Sequence, residues 1–425
     1  MRIEPAEDAA GQSRGTAKAQ AAAGPQWLKA VVILIVGFGW FPVTAAAQAV
    51  WYLSPSFAIG KVYEDNVFES AVNPLDDYLW RFNPALQAGY RSTTLSLDGF
   101  YTFDVERYLF NPQLDSNQAS KNAALSLKYA ASPRLDLSMD GDYAKTNTPN
   151  ELAVAAGLQL GRAAASVYSL QPMVSYRFTP ITSGTVRYSY TRETLEPGID
   201  SDIRSATLTL NHSLDERNSA NLDLEGSDYT FSQGSTGASH ALTAGWMHEF
   251  TPQTSLSLQV GPRVTDGTYS TDVLVSLSQT NEHGEWSLAY TKTLGTILGL
   301  PGPVDQRVAT ATLVYWPTKS LRLEMLPAFS SYRGTGQHIA LYELQLRASY
   351  SLSQAVSLVG WYQADVQHGV LNGPSDQRIR RHVTFVGLVV SWGTTPLPQL
   401  PPPPSPFSGL LPTPPPTGAG TGSGG

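Results

Sequence analysis

A two-residue alternation of apolar and polar side chains constrains this fold more than any other feature of the sequence. In residues 95–104, Leu, Gly, Tyr and Phe occupy the odd positions, and the even positions are mostly polar. A period of two places the two sets on opposite faces of a β-strand. Similar blocks recur from residue 54 to residue 392 and are separated by turn-forming residues. The sequence therefore predicts an all-β protein.

The alternating blocks predict eighteen strands, an even number. They are expected at residues 54–64, 77–90, 93–105, 119–130, 134–144, 168–178, 184–195, 200–213, 219–231, 237–250, 254–265, 269–280, 284–296, 305–316, 320–333, 337–351, 355–366 and 379–392. A chain of this length with so many strands and short connections is typical of a sandwich, a β-helix or a barrel.

The connections distinguish these architectures. Short turns such as Thr179-Pro180 and Glu282-His283 follow the even-numbered strands, whereas longer segments such as 65–76, 106–118 and 145–167 tend to follow the odd-numbered ones. Outer-membrane barrels have tight periplasmic turns, longer outer loops and an even number of strands. We therefore expect a transmembrane antiparallel up-and-down barrel with both termini in the periplasm. A large secreted β-sandwich or β-helix is the alternative.

The composition favours a sheet whose outer face meets lipid. Charged residues make up 15% of the chain and aromatic residues 10%, whereas soluble domains contain about 25% charged residues. In hydrocarbon every backbone N–H and C=O must be paired, so a sheet survives there only as a closed barrel.

The net charge of −7 argues against nucleic-acid binding. The absence of Cys excludes disulfides and thiolate sites.

Two terminal segments depart from the alternating pattern. Residues 1–49 combine a basic region, an apolar run at 30–41 and small residues before Ala49, which predicts a cleaved signal peptide with a long basic region. A retained membrane anchor is the alternative. The barrel is expected to occupy residues 50–393. Residues 394–425 form a Pro- and Gly-rich periplasmic tail, expected to be disordered, which is either a spacer or a docking strip for a partner.

No pattern of residues indicates catalysis. The seven His residues are scattered, and no nucleophile elbow, zinc-protease motif or phosphate-binding loop occurs. Acidic residues near 65 and 76 match no calcium-loop spacing. We therefore expect no enzyme activity, no catalytic residue, no metal site and no cofactor. The segment 145–167 is partly apolar, and we expect it to fold into the barrel or to form a lid.

The inward-facing side chains of the predicted strands form the candidate site. They comprise Asp98, Asp104, Lys128, Asp136, Asp140, Asp142, Arg187, Asp223, Glu225, Glu249, Glu285, Arg322, Glu324, Glu343 and Arg347. Acids outnumber bases in this set, so the wall is expected to favour cations or neutral solutes. Phe100 and Trp361 also fall on the inward parity, where they stack on sugar rings or serve as ordinary packing residues.

Two segments near the start of the barrel carry a family resemblance. The run from Phe57 to Phe68, with Tyr63-Glu64-Asp65-Asn66, and the run from Asp77 to Tyr90 resemble the first strands of outer-membrane barrels encoded with exopolysaccharide systems. The resemblance implies a barrel of about eighteen strands that works beside a periplasmic polysaccharide-export protein. It implies no catalytic residues, and the Pro-rich tail is not expected of that family.

These observations give a leading hypothesis and two alternatives. The leading hypothesis is an outer-membrane conduit for a secreted polysaccharide, in contact with outer-membrane lipid or lipopolysaccharide, with the polymer as substrate and a periplasmic export protein as partner. The first alternative is a general or solute-selective porin. The second is a structural or adhesive surface barrel that does not conduct. Planar-bilayer conductance without partners distinguishes the porin from the other two.

Overall fold

The computed structural model describes residues 49–149, 152, 162–334, 337–369 and 377–392. Within these residues the chain forms β-strands and a short 3-10 helix, Pro112–Leu114. The strands are β1 (Val50–Glu64), β2 (Asp77–Arg91), β3 (Leu95–Phe103), β4 (Val105–Tyr108), β5 (Ser120–Ser132), β6 (Leu135–Thr146), β7 (Ala164–Thr179), β8 (Thr182–Glu196), β9 (Ser201–Ser213), β10 (Asn218–Phe231), β11 (Thr236–Thr251), β12 (Thr254–Thr265), β13 (Thr268–Asn281), β14 (Gly284–Gly295), β15 (Val304–Thr318), β16 (Leu321–Gly334), β17 (Gln337–Ser351), β18 (Val356–His368) and β19 (Arg378–Ser391).

The strands form one closed antiparallel barrel. Each strand pairs with its neighbours in sequence, and β1 also pairs with β19, which closes the sheet. β3 and β4 both pair with β2 and are separated only by Asp104, so they form one interrupted strand and the barrel has eighteen strands. The predicted fold class is confirmed. Each predicted strand overlaps an observed one, and the prediction at 93–105 covers the interrupted strand.

The interruption at Asp104 has a local cause. Its backbone N–H donates to the carbonyl of Ser120 at 3.0 Å, and its carboxylate accepts hydrogen bonds from Asn83 and Ser120, both at 2.6 Å. The regular hydrogen-bond ladder between β3 and β5 ends here. These contacts provide hydrogen-bond partners for both the backbone N–H and the carboxylate of Asp104. A buried polar group is stabilised in this way only when its hydrogen bonds are complete.

Large apolar side chains cover the outer face of the sheet. Leu86 on β2, Leu125 on β5, Val186 on β8 and Leu224 on β10 are each about half exposed, and similar residues continue around the barrel. So much exposed apolar surface is costly in water but matches the hydrocarbon of a bilayer. No helix in the described part of the chain is long and apolar enough to cross a membrane.

The two ends of the barrel have different connections. One end, called the short-turn end below, contains the tight connections β5–β6, β7–β8 and β13–β14. The other, the long-loop end, contains the connections at 65–76 and 296–303. Not every connection at the long-loop end is long. Between β12 and β13, Asp266 and Gly267 form a two-residue hairpin in which both residues have positive φ angles.

Three predictions fall wholly or partly on residues outside the described part of the chain. They are the signal peptide at 1–49, of which only Ala49 is described, the tail at 394–425 and the loop at 145–167, of which residues 150, 151 and 153–161 are not described. The domain boundaries at both ends therefore remain predictions.

Candidate functional site

The interior wall is polar where neighbouring strands bring polar residues side by side. Asp98 on β3 pairs with Ser126 on β5, which pairs with Asp140 on β6, which pairs with Gln171 on β7. Their strand neighbours of opposite parity, including Leu125, point to the lipid-facing side. The register therefore forms a continuous polar surface inside the barrel from residues that are far apart in sequence.

β6 presents a stripe of three carboxylates to this interior. Asp136, Asp140 and Asp142 share one face of the strand. Asp142 accepts a weak hydrogen bond from Ser169 at 3.3 Å. Among the described residues, none of the three carboxylates forms an ion pair within 4.0 Å. The stripe therefore carries three carboxylates without ion pairs, and the nearest inward cation is Lys128, which lies opposite Ser138 on the neighbouring strand β5.

Two arginines lie roughly opposite this stripe in the order of strands around the barrel. Arg322 on β16 bonds to Glu324 at 2.5 Å, and Arg347 on β17 lies 3.7 Å from the same carboxylate. Two guanidinium groups thus share the Glu324 carboxylate, and Gln345 links Arg347 to a second acid, Glu343. The interior therefore presents charges of both signs on walls that face each other.

The long-loop end of the interior holds buried ion pairs. Arg381 on β19 bonds to Glu64 on β1 at 2.6 Å and lies 3.7 Å from Asp365 on β18. All three side chains are less than 7% exposed. Because β1 and β19 are the first and last strands, the Glu64–Arg381 pair joins the two strands that close the barrel.

A second buried network lies on the other side of β1. Glu106 on β4 bonds to Arg81 on β2 at 2.6 Å, accepts the Tyr108 hydroxyl at 3.0 Å and lies 3.7 Å from Arg162. Burial lowers the pKa of Arg162, but Tyr108 and Glu106 outweigh this and raise it overall, so the guanidinium stays charged. This network fixes Arg162, which lies outside the strands, against the barrel wall.

A third network connects the strands β10, β12 and β13. Arg263 bonds to Asp272 at 2.6 Å and to Glu225 at 3.1 Å, and it is almost completely buried. The Arg263 guanidinium also donates a hydrogen bond to the Ser239 hydroxyl at 2.9 Å. A buried cation requires such a complete set of acceptors, because an unpaired charge in a low-dielectric interior is strongly destabilising.

The segment 296–303, called the strap below, crosses the interior at the long-loop end. At its β15 side, Ile297 and Leu300 pack against Val304, Tyr332 and Ile339. All five of these side chains are at most 3% exposed. The strap therefore begins from a compact apolar anchor on the inner faces of β15, β16 and β17.

The other side of the strap reaches β7 and β8. Leu298 packs against Ala165 and Leu195, and the Thr296 hydroxyl donates to the Glu193 carboxylate at 3.0 Å. β8 is six strands from β14 in the barrel order, so these contacts hold the strap across the interior. The strap narrows the interior at this end.

The inward-folding loop predicted from sequence was 145–167. Among its described residues, Leu152 packs near Leu298, but the crossing contacts belong to 296–303. The apolar run from Ile297 to Leu300 is the signal that identifies the strap: a loop rich in Ile and Leu has little reason to stay in water. The expectation for 145–167 stays a prediction, because residues 150, 151 and 153–161 are not described, whereas the strap was not predicted from the sequence.

The predicted wall residues fall in different surroundings. Asp223 accepts hydrogen bonds from Asn221 at 2.9 Å and from Gln259. Glu343 lies opposite Asp365 in the ladder and is buried. Lys128 and Arg187 point into the open short-turn half, and Arg187 forms no ion pair within the described chain. The remaining wall residues, Glu249 on β11 and Glu285 on β14, lie on the same inner face as their pairing partners Ser255 and Thr280.

The two aromatic candidates also differ. Trp361 stacks on Phe385, with ring centroids 5.8 Å apart and planes 16° apart, and it packs against the apolar cluster that includes Val62. One of its faces is therefore covered by protein. Phe100 pairs with Gln87 and is partly exposed.

The prediction from sequence missed the members of the buried networks. They are Glu64, Arg81, Glu106, Arg162, Arg263, Asp272, Asp365 and Arg381. Most of them lie on the inward parity of their strands, so alternation places them inside the barrel. Their pairing across strands depends on register, and alternation alone does not give register.

Comparisons with known proteins give likeness at the level of architecture. No family model and no curated protein matches the chain. Among solved structures, the outer membrane protein OpdK of Pseudomonas aeruginosa is 12% identical, with 80% of this chain and 99% of that chain covered and a TM-score of 0.42. OpdO of the same organism is 12% identical, with 81% and 98% covered and a TM-score of 0.45. OccAB4 of Acinetobacter baumannii is 10% identical, with 82% and 100% covered and a TM-score of 0.43.

The expectation of polysaccharide export is wrong. The solved structures that the barrel resembles are outer-membrane proteins such as OpdK and OpdO and not polysaccharide exporters, and the likeness concerns the barrel fold alone. The resemblance on which export rested covers the first two strands and the loop between them. Alternation and aromatic residues are expected in the strands of any outer-membrane barrel, so in these two strands they indicate the fold and not the cargo.

Proposed function

We propose that the protein is a solute-selective porin of the outer membrane, with the long-loop end outside the cell and both termini in the periplasm. The observation that supports this most is the interior itself: a polar wall around an open short-turn half, narrowed at the other end by the strap. A conducting barrel needs a hydrated interior, and selectivity needs a constriction with charged walls.

The wall charges support a preference for cationic or neutral solutes. The three carboxylates on β6 lack ion pairs, whereas the arginines opposite them share Glu324. The remaining buried acids in the long-loop half are mostly paired with arginines and add little net field. Acids outnumber bases among the described inward-facing residues, and the stripe contributes three of the carboxylates without an ion pair, so the interior field is expected to be negative.

Conductance in a planar bilayer tests the proposal. Purified protein, added without any partner, is expected to give stepwise conductance that is cation-selective by reversal potential in a salt gradient. The triple variant D136N/D140N/D142N is expected to keep conductance and to lose much of the cation preference. D228N is the matched control, because Asp228 on β10 faces outward according to its register with Arg204.

A second variant tests the strap. Replacing residues 297–300 by a shorter Gly-Ser linker removes the apolar anchor and is expected to raise the unit conductance. Folded protein that gives no conductance steps, even with the strap shortened, would contradict the porin proposal and support a structural surface barrel.

A further inference from the structure

Basic residues on the outer face of the barrel lie at one end only. In the described strands every outward-facing Lys or Arg is near the long-loop end. This set is Lys61, Arg107, Lys121, Lys145, Arg192, Arg204, Lys292, Arg307, Arg333, Arg378 and Arg380. Basic residues at the short-turn end lie in the turns or inside the barrel. The basic residues of the outer face are therefore distributed asymmetrically along the barrel axis, and the fold alone does not require this.

The clearest feature of this belt is a pair of lysines. Lys121 on β5 and Lys145 on β6 are directly opposite each other in the ladder, and both face outward. Like charges in this position have Cβ atoms about 5 Å apart and destabilise a sheet. Neither lysine forms an ion pair within the described chain, and the outward faces of β3, β5, β6 and β7 carry no carboxylate. The described strands around this pair therefore provide no counter-charge for it.

The lysine pair lies at the depth of lipid headgroups. Tyr143 faces outward two residues before Lys145, and Tyr101 faces outward two residues before Phe103, the ladder partner of Lys121. Tyr101 and Tyr143 are 44% and 36% exposed. Outward tyrosines of this kind mark the membrane interface. The two ammonium groups therefore lie just beyond the hydrocarbon, where lipid phosphates are found.

We propose that Lys121 and Lys145 form a binding site for the phosphate monoester of a lipid headgroup in the leaflet at the long-loop end. Near neutral pH a phosphate monoester carries a charge of about −1.5 to −2, which matches two ammonium groups, whereas a phosphate diester carries only one negative charge. The proposal depends on the transmembrane fold and not on whether the barrel conducts.

A second opposed pair provides an internal comparison. Lys292 on β14 and Arg307 on β15 are also ladder partners on the outer face. Here, however, Arg307 lies 3.6 Å from Asp305 on its own strand. This carboxylate partly neutralises the pair, so it is expected to bind phosphate more weakly than the lysine pair.

Lipid retention tests the site. The full-length mature barrel is reconstituted in phosphatidylcholine vesicles that contain either a bis-phosphorylated glucosamine glycolipid or phosphatidylglycerol. The lipid that stays bound after mild detergent extraction is then counted by native mass spectrometry. Wild-type protein is expected to retain the bis-phosphorylated lipid preferentially, and K121Q/K145Q is expected to retain it about tenfold less.

The controls separate a site from general surface charge. K128Q lies on the same strand as Lys121 but faces the interior, and it is expected to bind lipid like wild type. K121R/K145R keeps the charge and is expected to restore retention. Folding of every variant is checked by heat-modifiable migration on gels. Equal retention by K121Q/K145Q and wild type would overturn the proposal, as would equal retention of phosphatidylglycerol and the bis-phosphorylated lipid.

Discussion

The two halves of the barrel interior are built from the same strands but have different chemistry. At the long-loop end, interior side chains such as Val62, Tyr332 and Ile379 are at most 1% exposed, and most of the charges among them form ion pairs. At the short-turn end, Lys128, Asp136 and Arg187 are exposed to the interior solvent. The bilayer requires only that the outer face be apolar and the backbone be paired. The interior is therefore free to be packed at one end and open at the other.

This difference gives the two halves different roles. A packed end stabilises the barrel and narrows it, because its buried ion pairs and apolar contacts lock neighbouring strands together. The charged side chains of an open end act on passing solutes. They contribute little to stability, since exposed charges are solvated whether or not the chain is folded. Equivalent substitutions in the two halves are expected to have very different effects.

The largest expected effect is at the closing seam. R381M removes the cation between Glu64 and Asp365 and leaves two buried carboxylates without it. Breaking a buried pair in this way costs about 3–5 kcal/mol, and we expect a loss of that size in urea unfolding of the barrel in vesicles.

R187M is the matched control at the open end. Arg187 faces the interior but makes only a contact with Met173 at 3.8 Å, so this variant is expected to cost less than about 1 kcal/mol. Equal losses from the two variants would mean that the packed and open halves do not differ in how they hold charge.

The strap is expected to show the same contrast for apolar side chains. I297A removes methyl groups from the cluster with Tyr332 and Ile339, which costs about 2–5 kcal/mol when the surroundings do not collapse. I181A is the matched control, because Ile181 lies in a short turn and is 53% exposed.

Urea unfolding and proteolysis in the strap measure the difference between these variants. I297A is expected to lower stability and to make the strap more sensitive to protease, whereas I181A is expected to change neither. A protease-resistant strap in I297A would show that the Thr296–Glu193 and Leu298 contacts hold it without the Ile297 anchor.

The sequence predicted the outer face far better than the interior. Alternation, turn residues and aromatic content are imposed by the bilayer on every strand, so the strand positions and the closed barrel follow from local pattern. The Glu64–Arg381 contact joins residues 317 positions apart, and it depends on which residues meet when the last strand reaches the first. Alternation places Arg381 inside the barrel, but only the register pairs it with Glu64.

The interior loop shows the same limit. The inward folding of segment 145–167 stays a prediction, because only part of it is described, whereas the strap at 296–303, which was not predicted, makes contacts across the barrel. Its run from Ile297 to Leu300 was visible in the sequence, but its partner Glu193 lies on a strand that no local pattern connects to it. The solute is harder still to predict from sequence, because the pairing of residues across strands decides which charges remain unpaired and face it.

The smallest expected effect lies in a turn at the short-turn end, where nothing is buried. Asp215 accepts hydrogen bonds from the backbone N–H groups of Arg217 at 2.7 Å and Asn218 at 2.8 Å. The Arg217 N–H, followed by the Asn218 side chain, lowers the pKa of Asp215. D215A is therefore expected to loosen this turn slightly, seen as faster amide exchange at Asn218, with little change in global unfolding.

The pH dependence of that effect follows from the direction of the pKa shift. A carboxylate with a lowered pKa in the folded state stabilises fully above its unfolded pKa of about 4, and this contribution fades as the pH falls through the lower folded value. The difference in exchange between wild type and D215A, corrected for intrinsic rates, is therefore expected to be constant above pH 5 and to shrink below pH 4. A difference that grows on acidification would show that the turn is held by something other than the ionised carboxylate. It would also weaken the view that the open end contributes only local stability.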